Sequence, residues 1–162
     1  TSSCGSNDDQ TKMRDSIIAM EDSISVLTVD LAPGEQLDEK VCNDLIDLLL
    51  TYYRTFPDNI YAPECLDKVH MAYSGLGKYK LSTSYADTLL TNYKEYINRA
   101  MILESQASTY DIFIKPRDKE KVRYYYELLL KENPDLPKDK VKEINYRLKN
   151  NDLTIDELIL KH

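Results

Sequence analysis

The side chains able to do acid–base, metal or thiol chemistry are few and scattered along this chain. It has two imidazoles, His70 and His162, and three thiols, Cys4, Cys42 and Cys65. His70 follows Val69 on an apolar helical stretch, where we expect an imidazole satisfied by a neighbour rather than a base or ligand. Carboxylates are numerous but sit at the spacings of helix faces and caps; Asp44 with Asp47, or Glu95 near the amide Asn98, would serve as a catalytic acid site only by an accident of the fold. There is no Gly-rich phosphate loop, no Cys-x-x-Cys and no Ser/His/Asp set at a recognised spacing. We expect no enzyme, no cofactor and no small-molecule substrate.

What the thiols can do depends on the elements that carry them. If 37–56 and 62–76 form an antiparallel hairpin closing at Pro57-Asp58, Cys65 lies opposite roughly Tyr53. Cys42 is then about 16 Å further along at 1.5 Å per residue, well beyond the ~7 Å Cα limit for a disulfide. Both are expected as buried free thiols, with no imidazole near enough to complete a metal site.

The hydrophobic pattern is helical throughout. Met13, Ile17, Met20, Ile24, Leu27 and Leu31 step by four and three, a heptad seam for one long helix over 11–31 that ends at Pro33-Gly34. Such a seam either docks on the rest of the fold or zips with a second chain. Leu37, Val41, Leu45, Leu48, Leu49, Tyr52 and Phe56 make one face of a second helix; Ala62, Cys65, Leu66, Val69, Ala72, Tyr73 and Leu76 make the stripe of a third. Pro63 is tolerated in the first turn of that helix. Further helices are expected at about 79–93, 98–111, 118–132 and from Pro137, with Val141, Ile144 and Leu148 buried in the last of these. Thr154-Ile155-Asp156-Glu157 reads as a capping box that opens a final short helix over 154–162, with Leu153 and Leu158 as a staple.

Leu49-Leu50, Leu89-Leu90 and Leu129-Leu130 recur at intervals of 40, while Leu66 and Tyr73 are answered by Leu103 and Tyr110 at 37. A fixed period of this size marks stacked helical repeats. With four Gly, six Pro and 42% hydrophobic residues, little interrupts helix formation, so the fold class is all-α, with about eight helices in a single domain over 11–162. Repeats should fill 37–149.

The formal net charge of −7 is unevenly spread. Residues 1–70 carry five Lys/Arg against fourteen Asp/Glu, whereas residues 112–150 carry eleven against seven. Such polarity could steer a charged partner to one end or stack copies head to tail. A net-acidic chain that nowhere concentrates Lys/Arg with stacking aromatics is not built for nucleic acid. No apolar run reaches the roughly 18 residues of a membrane-spanning helix.

Residues 1–10 lack hydrophobic content and are expected to be a disordered tether. Ser2-Ser3-Cys4 resembles the junction at which bacterial lipoproteins are cut, where small residues precede the lipidated cysteine. Thr1 departs from that pattern, which most often has leucine three before the cysteine. The resemblance implies a signal peptide ending at Ser3 and acyl chains on Cys4 sufficient for stable membrane anchoring. Serine followed by acidic residues after Cys4 also resembles the surface-export signal of Bacteroidota lipoproteins.

The segment from Tyr61-Ala62-Pro63-Glu64-Cys65-Leu66 to Ala72-Tyr73-Ser74-Gly75-Leu76-Gly77-Lys78-Tyr79 resembles the first helix and turn of a tetratricopeptide (TPR) repeat. The leucine, the tyrosine seven later and the Leu-Gly-x-Tyr turn all sit at the family's spacing. Ser82 departs from the usual alanine, the intervals exceed the typical ~34, and Phe113-Ile114-Lys115-Pro116 replaces the turn in the next unit. The link Tyr53-Arg54-Thr55-Phe56-Pro57-Asp58-Asn59-Ile60-Tyr61-Ala62 resembles those of envelope lipoproteins related to the BamD assembly factor and of periplasmic tetratricopeptide proteins.

Together these resemblances imply a TPR-like right-handed solenoid of antiparallel hairpins. They also imply a lipid-anchored outer-membrane scaffold, on the periplasmic or the surface side, with protein partners in an envelope complex. In such arrays the first helix of each pair lines a groove, which makes Asp67, His70, Met71 and Ser74, then Asn98, Arg99, Met101 and Ser105, the candidate partner surface. The basic strip Lys115, Arg117, Lys119, Lys121 and Arg123 is a second candidate, suited to an acidic partner or a membrane headgroup. The alternative function is a cell-surface module that binds glycan or peptidoglycan, which would display clustered exposed tyrosines.

Overall fold

The computed structural model describes residues 3–161, with side chains from residue 7 onward. Among the described residues every regular element is helical. The α-helices are α1 (Ser3–Val29), α2 (Glu39–Thr55), α3 (Ala62–Gly75), α4 (Tyr79–Asn92), α5 (Arg99–Ser108), α6 (Lys119–Glu132), α7 (Lys138–Lys149) and α8 (Ile155–Leu160), and a π-helical turn, Thr109–Phe113, extends α5. Where the sequence led us to expect one domain over 11–162, the contacts divide the chain into two compact units, Thr1–Lys78 and Tyr79–His162.

In the first unit α2 packs on both α1 and α3. The core is Ile17, Ile46, Leu49, Leu50, Tyr52, Cys65, Leu66 and Val69. The seam of α1 is only half used, because Ile17 is fully buried, Met13, Met20, Ile24 and Leu31 are partly exposed, and Leu27 is 48% exposed. Lys68 of α3 grips Glu21 at 2.8 Å, and the Arg14 guanidinium lies 4.7 Å above the Tyr61 ring. Residues 3–10, expected as a tether, instead form the first turns of α1. Within the helix Thr11 Oγ1 donates to the Asn7 carbonyl and Lys12 pairs with Asp8 at 2.6 Å, while Asn59, from the loop after α2, donates to Gln10 at 3.2 Å.

The turn after α3 is glycine-dependent as the sequence indicates. Lys78 N–H donates to the Tyr73 carbonyl and Gly77 N–H to the Ser74 carbonyl, a Schellman closure that needs the positive φ of 71° at Gly77. Tyr73, which the sequence places on the apolar stripe of the third helix, is only half-buried. Among the tyrosines of this unit, Tyr52 and Tyr61 are the buried ones.

In the second unit α5 packs on α4 and on α6, and α7 packs on α6. Ala86, Leu89, Ile102, Leu103, Ala107, Val122, Tyr125, Leu129 and Ile144 form its core. Ser82, the departure from alanine, is buried there as well. At the far end Thr154 Oγ1 accepts from Glu157 N–H at 3.2 Å and so caps α8 as the sequence predicts. Thr154→Ala should therefore cost about 0.5–2 kcal/mol, read as a lowered denaturant midpoint with unchanged slope.

One loop geometry is used three times. After α2, Phe56 N–H donates to the Tyr52 carbonyl and Asn59 N–H to that of Phe56; after α4, Tyr93 and Tyr96 do the same from Leu89; after α6, Asn133 and Leu136 do so from Leu129. The structural interval is therefore 37, then 40. Leu89 and Leu129 are equivalent, but the residue equivalent to them in α2 is Tyr52, so Leu49-Leu50 sits one turn earlier than the leucine spacing implies.

Candidate functional site

A concavity lies among α4, α5 and α6. It is a shallow groove of about 570 Å³ lined by Asp87, Leu90, Thr91, Lys94, Arg99, Lys121, Tyr124, Tyr125 and Leu128. Its aromatic wall is ordered by ring packing, with Tyr125 stacked on Tyr110 at 5.8 Å and Tyr124 edge-on to Tyr125 at 5.1 Å. The Tyr125 hydroxyl donates to Asp87, and Gln106 Nε2 donates to the same carboxylate oxygen at 2.9 Å. Burial, and then the hydrogen bond with Asp87, push the Tyr125 phenol well above its ordinary range. It stays protonated and acts as a fixed donor, not as a base.

The cations of the groove are of two kinds. Arg99 is held in place: Nε and Nη2 bind Glu132 at 2.7 and 3.0 Å, and Nη1 donates to the Leu90 carbonyl at 2.8 Å. The hydrogen bond to Glu132 raises its pKa further. Lys94 and Lys121 are exposed at the rim, Lys121 with its ammonium 5.9 Å from the Tyr110 ring centroid. Half-buried Leu128 and the nearly covered Leu90 add an apolar lining. The groove offers charge, a rigid aromatic face and an aliphatic floor, which is the equipment of a binding surface.

The residues singled out from the sequence are not brought together as expected. Asp67 and His70 are buried and face each other, His70 Nε2 lying 3.1 Å from Asp67 Oδ1, so neither offers a groove surface. Met71 and Met101 are 62% and 69% exposed, while Ser74, Asn98 and Ser105 are half-buried. Of the eight first-helix candidates, Arg99 alone lines the groove.

The basic strip also comes apart. Lys119 pairs with Asp152 at 2.9 Å, Arg123 reaches Glu127 at 3.4 Å, Lys115 is exposed, and Lys121 joins the groove. Arg117 turns inward, where with Arg147 it clasps Asp111. Arg117 Nε and Arg147 Nε bind the two carboxylate oxygens at 2.6 Å each, and Arg147 Nη2 adds a contact of 2.7 Å. Arg117 also donates to the backbone and side-chain oxygens of Asn151, and Arg147 to the Asn150 and Leu153 carbonyls. Asp111 is brought in by the π turn, whose wider ring closes from Ile114 N–H to the Thr109 carbonyl.

Burial alone would raise the Asp111 carboxyl. The hydrogen bonds and charges of Arg147 and Arg117 outweigh it and hold the group below its ordinary 3.8. This cluster ties the π turn after α5, the loop before α6, α7 and the loop that leads to α8 together and is structural.

Cys65 is buried and its thiol is pushed up to about 12 by burial, so it is inert at neutral pH. Cys42, expected to be buried too, is half-buried. The side chain of Cys4 lies outside the described residues. Among the described residues no group of three or more His, Cys, Asp or Glu is placed to hold a metal ion, and no helix is long and apolar enough to cross a membrane. No family model, curated protein or solved structure matches the chain.

The sequence signal for this groove was available but divided. Tyr124-Tyr125 lies one helical turn after Lys121 on α6, whereas Lys94 comes from the loop after α4, 27 residues earlier than Lys121.

Proposed function

We propose that this chain is a non-enzymatic adaptor that gathers protein partners in a Gram-negative cell-envelope complex. It would be built as a TPR-like right-handed solenoid and held at the outer membrane by lipid on Cys4. The observation that carries the architectural part is the thrice-used loop after α2, α4 and α6, each with the same pair of backbone hydrogen bonds. A repeated helix–loop unit whose polar interior is spent on holding itself together suits binding better than chemistry. The polar groove on α4–α6 is the surface such an adaptor would use.

A glycan or peptidoglycan module is less well supported. It calls for several clustered exposed tyrosines, and among the described residues only Tyr124 and Tyr146 are exposed.

The test has two arms. With a lipoprotein signal restored upstream, Cys4→Ala should move the protein from the membrane to the soluble fraction, and retention in the membrane would remove the lipid anchor from this reading. Purification of the anchored protein from native envelopes in mild detergent should recover a stoichiometric protein partner. Recovery of bound polysaccharide in its place would favour the alternative.

A further inference from the structure

Helix α1 leaves its outer face uncovered, and that face has a definite character. At ~100° per residue, Asp15, Ile18, Asp22, Val26 and Val29 fall within about 80° of arc. All five are exposed, with Ile18 at 42%, Val26 at 65% and Val29 at 84%. The face therefore interleaves carboxylates with aliphatic side chains. The α4–α6 groove is its chemical complement, with exposed Lys94 and Lys121, a half-buried Leu128, and Tyr124 as a wall that is 56% exposed.

The charges decide between the possible pairings of two copies. The first unit carries six Lys/Arg against fourteen Asp/Glu, net −8, and the second carries fifteen against fourteen, net +1. First unit on first unit is strongly repulsive, second on second is weakly so, and only first on second is attractive. Contact between unlike surfaces is heterologous, and a heterologous contact extends rather than closing at a two-fold dimer unless its rotation happens to complete a ring.

We propose that copies of this chain associate head to tail, the outer face of α1 of one copy lying in the α4–α6 groove of the next. Asp15 and Asp22 meet Lys94 and Lys121, while the aliphatic side chains of α1 cover Leu128 and the Tyr124 ring. Lys94 and Lys121 supply the specificity, since Arg99 is already occupied by Glu132. Asp87 lines the same groove, but its carboxylate is engaged by Tyr125 and Gln106. This inference needs neither the lipid anchor nor the envelope location of the adaptor reading, but it seats a second copy in the groove which that reading gives to a protein partner.

The experiment is sedimentation velocity on the full, unlipidated chain over a concentration series up to about 0.5 mM. Mass should rise with concentration at about 50 mM salt and fall back at about 500 mM, because the rim contacts are screened. Two charge-reversed chains then test the geometry. Lys94→Glu with Lys121→Glu removes the groove, and Asp15→Lys with Asp22→Lys removes the face. Each alone should associate at least tenfold more weakly than the parent chain.

Mixed in equal amounts, the two variants restore opposite charges at both contacts, because the parent face meets the parent groove and the lysine-bearing face meets the glutamate-bearing groove, so the mixture should again grow into assemblies that neither variant forms alone. That recovery also shows that both variants are folded. A parent chain that stays monomeric throughout overturns the proposal and leaves the groove to a different partner. So does association that neither reversal weakens, or a variant mixture that remains monomeric while circular dichroism shows both chains folded.

Discussion

Replacing Asp111 by alanine is expected to cost about 3–5 kcal/mol, a large share of the ~5–15 kcal/mol that holds a domain folded. The side chain is 1% exposed, and the two guanidiniums it neutralises are 10% and 8% exposed. Removal of the carboxylate strands two cations with only carbonyl and amide oxygens for company, which is why the loss should far exceed that of a surface pair. Denaturant unfolding of the full chain measures it, and a loss under about 1 kcal/mol would mean that the arginines reach water in the variant.

Acid makes the same point in the unmodified protein. Because Asp111 is held below 3.8 in the fold, its contribution is fully present above that value and is lost as pH falls through the folded-state value. The parent chain should weaken in that window, and Asp111→Asn should flatten this part of the pH profile.

The second large effect is expected at Tyr52. Its ring is 2% exposed, packed at 5.3 Å from Phe56 and at 5.0 Å, edge-on, from Tyr61, and its hydroxyl donates to Asn59 at 2.9 Å. Tyr52→Ala should cost about 3–5 kcal/mol, because a cavity between α2 and α3 cannot close without moving the loop that Asn59 anchors. Tyr52→Phe keeps the ring and loses one hydrogen bond, worth about 0.5–1.5 kcal/mol. Asn59 Oδ1 would still accept from Tyr61 N–H. Half-buried Tyr73 should tolerate truncation better than Tyr52, and the reverse order would refute this account of the core.

The contrast between these two tyrosines shows where sequence periodicity stops. Spacing places both on apolar stripes, because i, i+3 and i+4 positions share a face whatever that face meets. Whether a stripe is covered along its whole length depends on the helix opposite. The seam of α1 shows the same thing: six apolar residues at heptad spacing, of which only Ile17 is fully buried. Charges mislead for a related reason. Arg117 stands in a strip with Lys115, Lys119, Lys121 and Arg123, yet it faces inward because the π turn delivers Asp111 beside it, and Arg147 arrives from a helix 30 residues away.

The sequence by itself determined the helical fold class, the breaks near Phe56-Pro57, Gly77 and Asn133-Pro134, and the cap at Thr154. All of these depend on contacts within a few residues, where backbone preference and side-chain reach act without outside help. Only the tertiary structure decided that the contacts form two units, that Asp67 and His70 are buried against each other, that Arg117 is interior, and that Lys94 and Lys121 line one groove. Those outcomes depend on desolvation and on partners brought from distant positions, and a one-dimensional spacing does not carry that information.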